Sequence, residues 1–170
     1  MMKGEVKSAV DFVSNLLRCR NMEPGKLEAF RQKLHQVLAN HYQNHWFPDK
    51  PTKGSGYRCI RIVNNKMDPL LDKAGAASGV SENELLSFLP SELTVWVDPS
   101  EVSYRIGEDG SIGVLFGDDV KEESDDEEEQ QQQQPSSIQD FSLPNYSDIR
   151  CCLGKQTQDG MSLVAAFVAS

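Results

Sequence analysis

The sequence predicts one α/β domain of the α+β type, in which helices pack around a small antiparallel sheet, followed by a disordered acidic tail. Three observations predict it: apolar residues recur every three or four positions over residues 6–42, they alternate in three later segments, and acidic side chains are concentrated after Gly117. The 170 residues carry a net charge of −9, yet residues 1–117 hold 14 acidic and 14 basic side chains. The acidity therefore belongs to the tail, and a neutral domain argues against sequence-independent nucleic-acid binding.

Two amphipathic helices are predicted at the start of the chain. A break at residues 21–25, with Pro24 near a plausible first turn, separates them, so a short link should make them an antiparallel pair. Their apolar positions share one face of each helix. These positions are Val6, Ala9, Val10, Val13, Leu16 and Leu17 in the first, and Leu27, Phe30, Leu34, Val37, Leu38 and Tyr42 in the second.

A loop and a strand are predicted next. The proline and glycine residues in the segment FPDKPTKGSG interrupt helical structure, so residues 47–56 are predicted to form a loop. The following YRCIRIV alternates, with Arg58, Ile60 and Ile62 on one face, which predicts a strand over 57–63. Tyr57 would then lie at the start of that strand, beside the glycine loop.

Two short helices have recognisable ends. Asp68 is a predicted N-cap, Pro69 the first helical residue and Gly79 the stop. Ser81 and Glu84 form a capping box that opens the second short helix, which runs toward Pro90. Both helices are small enough to cap a sheet.

A second group of strands is predicted between Leu93 and Phe116. LTVWV alternates so that the aliphatic residues face inward and Trp96 faces away. A hairpin follows, with a G-E-D-G turn at residues 107–110. Its return strand bears Ile112, Val114 and Phe116.

Composition divides the chain into residues 1–117, a domain; 118–137, an acidic and glutamine-rich disordered linker; and 138–170, a mostly disordered tail. No stretch approaches the roughly 20 apolar residues of a membrane span. The N-terminus lacks the apolar core of a signal peptide. Four cysteines without paired spacing favour a reducing, intracellular compartment.

The residues give little support for catalysis. His41 and His45 are four positions apart and could present two imidazoles to zinc, with Cys59 as a third ligand, but no fourth ligand is implied. The competing interpretation is a pair of helix-end histidines packing beside Trp46. No nucleophile-elbow or cysteine-protease pattern is present, and a mid-strand Cys59 is typical of a packed residue. We therefore expect no enzyme, no metal and no cofactor.

Two features favour binding to another protein. The segment 50–66 carries Lys50, Lys53, Arg58, Arg61 and Lys66 against one acid, and could contact phosphates, an acidic protein surface or only solvent. Within a neutral domain, a protein contact is the favoured interpretation. Trp96 is either ordinary core beneath the short helices or an anchor for a partner, and the pattern alone leaves both open.

Two long segments resemble the signature boxes of the BTG/Tob antiproliferative family. They are HYQNHWFPDKPTKGSGYRCIRI at 41–62 and LPSELTVWVDPSEVSYRIGEDGSIGVLF at 89–116. The resemblance extends over about residues 4–117 and includes the KMDP turn at 66–69. The residues of the first box and the short length of the chain are more similar to those of the small BTG-type members than to those of the long Tob-type ones.

The resemblance implies a non-enzymatic adapter of the cytoplasm and nucleus, without a cofactor. Such adapters bind the nuclease subunit of the CNOT deadenylase complex and the cytoplasmic poly(A)-binding protein, so that poly(A) tails are shortened and proliferation is restrained. The positions that match the nuclease-contacting residues are Tyr57, Trp96 and Asp98. No direct contact with nucleic acid or membrane is expected. The alternative is a transcriptional co-regulator that binds DNA-binding transcription factors through the same surface.

Overall fold

The domain is a small antiparallel sheet with helices packed against it. The computed structural model describes residues 2–117. Within this range the sheet has four strands in the order β1-β2-β3-β4, so each strand pairs with its neighbours in sequence. The predicted α+β class is confirmed. The elements are α1 (Lys3–Cys19), α2 (Pro24–Tyr42), α3 (Ser55–Arg58), β1 (Ile60–Ile62), α4 (Pro69–Ser78), α5 (Glu82–Phe88), β2 (Leu93–Asp98), β3 (Glu101–Ile106) and β4 (Gly113–Phe116).

The two long helices bury the faces that the sequence predicted. All six apolar positions of α1 are buried, and so are those of α2 except Val37, which is half-buried. Pro24 is the first residue of α2, as expected. The cap is the preceding Glu23, whose carboxylate accepts hydrogen bonds from the backbone N–H groups of Gly25 and Lys26 at 2.8 Å each. These two bonds lower the pKa of Glu23 below its ordinary value, because they favour the charged form.

The predicted ends of the short helices are confirmed. Asp68 Oδ1 accepts a hydrogen bond from the Leu70 N–H at 2.8 Å, and Gly79 ends α4 in the left-handed conformation. The Ser81 hydroxyl accepts a bond from the Glu84 N–H at 3.2 Å at the start of α5. Asp68 also accepts the Arg61 N–H through its other oxygen, so one carboxylate joins α4 to β1.

The strand predicted over residues 57–63 is shorter than expected. Only Ile60–Ile62 is extended and paired with β2, while Ser55–Arg58 forms the helical turn α3. Gly54 has a φ of 76°, and its carbonyl accepts hydrogen bonds from the N–H groups of Tyr57 and Arg58. The placement of Tyr57 in a strand was therefore wrong, because the glycine loop continues into a turn before the chain extends.

The return strand also differs from the prediction. Ile112 lies outside β4 and is 63% exposed, whereas Leu115 is buried. Ser103 pairs with Val114, but the register with β3 shifts between Val102 and Ser103, so that Val102 pairs with Phe116 and Leu115 is the additional residue of a bulge. A Cβ on Gly113 would lie 2.5 Å from the ring of Tyr104, so the tyrosine occupies the space above the glycine.

The two faces of the sheet have different surroundings. The inner face packs on the helical core, where the Tyr104 ring lies 4.5 Å from that of Phe12 on α1. Leu93, Val95 and Val97 are buried on this face, as predicted. We call the opposite side the outer face; it includes Arg61, Thr94, Trp96, Ser103, Arg105 and Val114. None of the helices in residues 2–117 has the length and apolar character that crossing a bilayer requires.

The packing of Tyr104 over Gly113 predicts a large cost for a small substitution. Gly113→Ala should lower the free energy of unfolding by about 1–3 kcal/mol, because the added methyl group overpacks the ring. Gly56→Ala is the matched control, since a Cβ there meets no atom within 4 Å. Urea denaturation of both variants measures the difference, and equal stabilities would contradict this account of the strand.

Candidate protein-docking surface

Tyr57 is held on the surface between two histidine rings. Its ring centroid lies 4.1 Å from that of His41 and 3.8 Å from that of His45, with interplanar angles of 10° and 20°. Two imidazoles cannot share one face of a phenol ring at these distances, so Tyr57 lies between them. The residue is nevertheless 43% exposed. We call this arrangement the histidine clamp; it fixes one aromatic ring in a defined position while leaving it accessible.

The histidine clamp gives both imidazoles a packing role. His41 Nε2 lies 3.3 Å from the Tyr57 carbonyl oxygen, and its Nδ1 lies 3.3 Å from the Tyr57 hydroxyl. No cluster of three or more possible metal ligands occurs within residues 2–117. The histidines thus pack on an aromatic ring, as the competing interpretation expected, but the ring is Tyr57 and not Trp46.

A buried guanidinium lies beneath Tyr57. Arg58 is fully buried and donates all five of its side-chain N–H bonds. Four go to the carbonyl oxygens of Val97, His45, Lys53 and Pro51, at 2.7–2.8 Å, and the fifth goes to a carboxylate. The assignment of Arg58 to an exposed basic segment was therefore wrong. Its place on the same face as two buried isoleucines was the signal that could have corrected it.

That carboxylate belongs to Asp98, the last residue of β2. Asp98 Oδ1 accepts from Arg58 Nη2, and Oδ2 accepts from the Ser55 hydroxyl at 2.8 Å. The side chain remains 23% exposed. Asp98 therefore joins β2 to α3 and can offer a partner only the part of the carboxylate that these two bonds leave accessible.

Trp96 lies on the outer face, directly opposite Ser103 on β3. It is half-buried and is not among the hydrophobic residues that form or pack against the core. Of the two interpretations that the sequence left open, the structure thus favours an indole outside the core. Tyr57, Trp96 and Asp98 all lie on or beside the segment where α3 packs on β2. We call these three residues the docking residues.

Cys59 follows α3 and is half-buried. Burial raises the pKa of its thiol to about 11, so the thiolate is scarce at neutral pH. This environment suits a packed thiol and not an activated nucleophile. Cys19 lies on the exposed side of α1, and Cys151 and Cys152 are outside the described residues.

A groove of about 480 Å³ runs between α2 and α4 and reaches Tyr57 and the histidine clamp. We call it the α2–α4 groove. No sequence pattern indicates this groove, because it arises from the packing of two helices that are distant in the chain. Its other lining residues are Lys33, Gln36, Val37, Asn40, Asn44, Leu70, Lys73 and Ala77.

The contacts of Asp98 and Trp96 predict losses of stability of different size. Asp98→Ala leaves the buried Arg58 without its counter-charge and should lower the free energy of unfolding by about 3 kcal/mol. Trp96→Ala removes an indole outside the core and should cost about 1 kcal/mol or less. Chemical denaturation measures both variants. An Asp98→Ala protein as stable as the wild type would show that the ion pair does not hold α3 against β2.

Comparisons with known proteins agree with this architecture. A model of the BTG family matches residues 2–116. The chain is 59% identical over 116 residues to Protein BTG1 of Homo sapiens, covering 68% of this chain and 67% of the relative. It is 55% identical over 116 residues to Protein BTG2 of Homo sapiens, covering 68% and 73% of the two chains.

More distant relatives share the same domain. The chain is 40% identical over 121 residues to Protein Tob1 of Mus musculus, covering 71% of this chain and 33% of that one. The solved BTG/Tob domain of the C. elegans protein FOG-3 superposes with a TM-score of 0.60 at 23% identity, over 68% of this chain and 90% of that one. This likeness supports the fold alone. From the family match and the two relatives that are more than half identical, we conclude that the chain belongs to the BTG/Tob family of antiproliferative proteins as a BTG-type member.

Proposed function

We propose that this protein is a non-enzymatic adapter that binds the nuclease subunit of the CNOT deadenylase complex through Tyr57, Trp96 and Asp98. The observation that carries the proposal is that two partly exposed aromatic rings lie outside the core, and that one of them, Tyr57, is enclosed by two imidazole rings. Tyr57 lies in the histidine clamp, and Trp96 projects from the middle strand β2. Rigid, partly exposed aromatic side chains are typical binding hot spots, because little conformational entropy is lost on binding.

Asp98 has a different part in this proposal. Its carboxylate is held by hydrogen bonds from Arg58 and Ser55. It would therefore offer a partner a negative charge in a defined position near the two rings. A charge at the rim of an interface chiefly improves selectivity and the rate of association. Loss of binding in an Asp98 variant therefore has to be separated from loss of α3, which the same substitution disturbs.

The adapter would act by proximity and would supply no reacting group. Contact with the cytoplasmic poly(A)-binding protein would place the bound nuclease near the poly(A) tail and raise its effective concentration there. The neutral charge of residues 1–117 supports a route through a protein partner over direct RNA binding. The proposed location is the cytoplasm and nucleus, where such partners meet messenger RNA.

The proposal predicts that the aromatic rings dominate the affinity for the nuclease subunit. Trp96→Ala and Tyr57→Ala should each weaken binding by about 30-fold or more, which corresponds to the loss of a hot spot of about 2 kcal/mol. Titration calorimetry with purified full-length protein and purified nuclease subunit measures this. Ile112→Ala is the matched control, since Ile112 is an exposed apolar residue outside the docking residues. Affinities unchanged by either aromatic substitution would refute the assignment of the site.

A second measurement separates the adapter from the alternative. Co-purification from a nuclease-treated lysate should recover the deadenylase with the wild type and lose it with Trp96→Ala. Recovery of DNA-binding transcription factors without the deadenylase would instead support a co-regulator that uses the same surface. Poly(A) binding by the purified protein with a steep salt dependence would support direct RNA recognition, against this proposal.

A further inference from the structure

The α2–α4 groove is positively charged, and none of its lining residues is acidic. Lys33 lies on the α2 wall and Lys73 on the α4 wall. Neither lysine takes part in an ion pair within residues 2–117. Tyr57, one of the docking residues, also lines the groove. The groove therefore combines two uncompensated cations with a partly exposed aromatic ring.

The remaining groove residues suit an acidic peptide. Gln36 and Asn40 lie four residues apart on one face of α2, and Asn44 follows in the turn after the helix, so three carboxamides line the groove. Carboxamide and ammonium N–H groups both donate hydrogen bonds to carboxylates. Val37 and Leu70 are half-buried between them and can contact the aliphatic stems of glutamate side chains.

The same chain contains an acidic segment that begins directly after the described domain. Residues 118–129 hold nine acidic side chains and one lysine. A Cβ built on Gly117, which precedes them, would lie 4.0 Å from the Ser100 carbonyl oxygen, so Gly117 is beside the turn after β2. Ser100 is two residues from Asp98, which accepts the Ser55 hydroxyl bond, and Ser55 is two residues from Tyr57. A twelve-residue segment can extend to about 40 Å, which is ample for reaching and following the groove.

We propose that residues 118–129 dock in the α2–α4 groove of their own chain and cover Tyr57. The attraction is between the nine carboxylates and a groove that holds Lys33 and Lys73 without an acidic neighbour in its lining. Tethering keeps the segment at a high effective concentration, so even weak charge contacts are populated, and added salt weakens them. Covering Tyr57 makes the segment a competitor of the nuclease subunit; that consequence rests on the proposed function.

Lysine footprinting of the full-length protein tests the docking. An amine-acylating reagent is applied to the wild type and to a variant in which the nine acids of residues 118–129 are replaced by asparagine or glutamine. Lys33 and Lys73 should react about threefold more slowly in the wild type, because a tethered segment covers them much of the time. Lys66 is exposed and outside the groove, so its rate should be the same in both proteins. Equal rates at Lys33 and Lys73, or the same change at Lys66, would overturn the proposal.

Dilution and cross-linking identify the occupant of the groove. The protection should be independent of protein concentration, whereas a loss of protection on dilution would mean that a second copy supplies the acidic segment and that the proposal is wrong.

A zero-length carbodiimide reagent should join Lys33 or Lys73 to residues 118–129 within one chain. Groove amides should exchange their hydrogens more slowly in the wild type than in the acid-neutralised variant. The double variant Lys33→Glu, Lys73→Glu should lose this protection, whereas the control Lys66→Glu should keep it.

The nuclease subunit separates this inference from the proposed function. If both are correct, neutralising the nine acids tightens binding of the nuclease subunit by about threefold, because the competitor is removed. If no version of the protein binds the nuclease subunit, the proposed function fails, while the footprint still decides whether the segment docks. A protected groove with an unchanged nuclease affinity would show that the segment does not cover Tyr57.

Discussion

The candidate docking surface depends on the buried guanidinium of Arg58. Its five hydrogen bonds join three separate parts of the chain: His45 in the turn that follows α2, the proline-containing loop, and the end of β2, which supplies one backbone and one side-chain acceptor. A buried cation is tolerated only when its donors are satisfied, and here every one of them is. The side chain also lies 5.5 Å from the ring of Trp46, a distance at which a cation and an indole attract one another. The loop and α3 therefore have one arrangement in which Arg58 is compensated, and that arrangement fixes the backbone of Tyr57.

The candidate docking surface combines a tyrosine on a short helix, a tryptophan on a strand and an aspartate that links the two elements. The histidine clamp orients a tyrosine that the short helix α3 could not hold by itself, since four residues form little more than one turn. Trp96 is oriented by the alternation of a central strand whose other face is sealed in the core. Asp98 links these two parts, because it ends β2 and binds residues at both ends of α3. The proposed adapter role requires this kind of fixed geometry, since an adapter that supplies no reacting group would bind its partner through shape and charge.

Much of the fold could be predicted from the sequence because the signals are local. Helix faces follow from apolar spacing, and the ends of α4 and α5 follow from Asp68, Gly79 and Ser81, whose side chains or backbone act within a few residues. The errors occurred where turns and partner strands decide the conformation. The strand over 57–63 was shortened because the turn that begins at Gly54 continues through Arg58, whose side chain is held by distant carbonyl groups, and β4 pairs with β3 through a bulge. The alternation of apolar residues in these segments indicates neither effect.

The sequence by itself determined the class of the fold, the ends of α4 and α5, the inward aliphatic face of β2 and the resemblance that placed Tyr57 in one family box and Trp96 and Asp98 in the other. Only the tertiary structure decided that Arg58 is buried, that His41 and His45 enclose Tyr57, and that α2 and α4 leave a groove between them. The physical reason is the separation along the chain of the residues that interact. Periodicity and capping are interactions between near neighbours, whereas a buried charge, a stacked ring and a groove require partners that the chain brings together only when it folds.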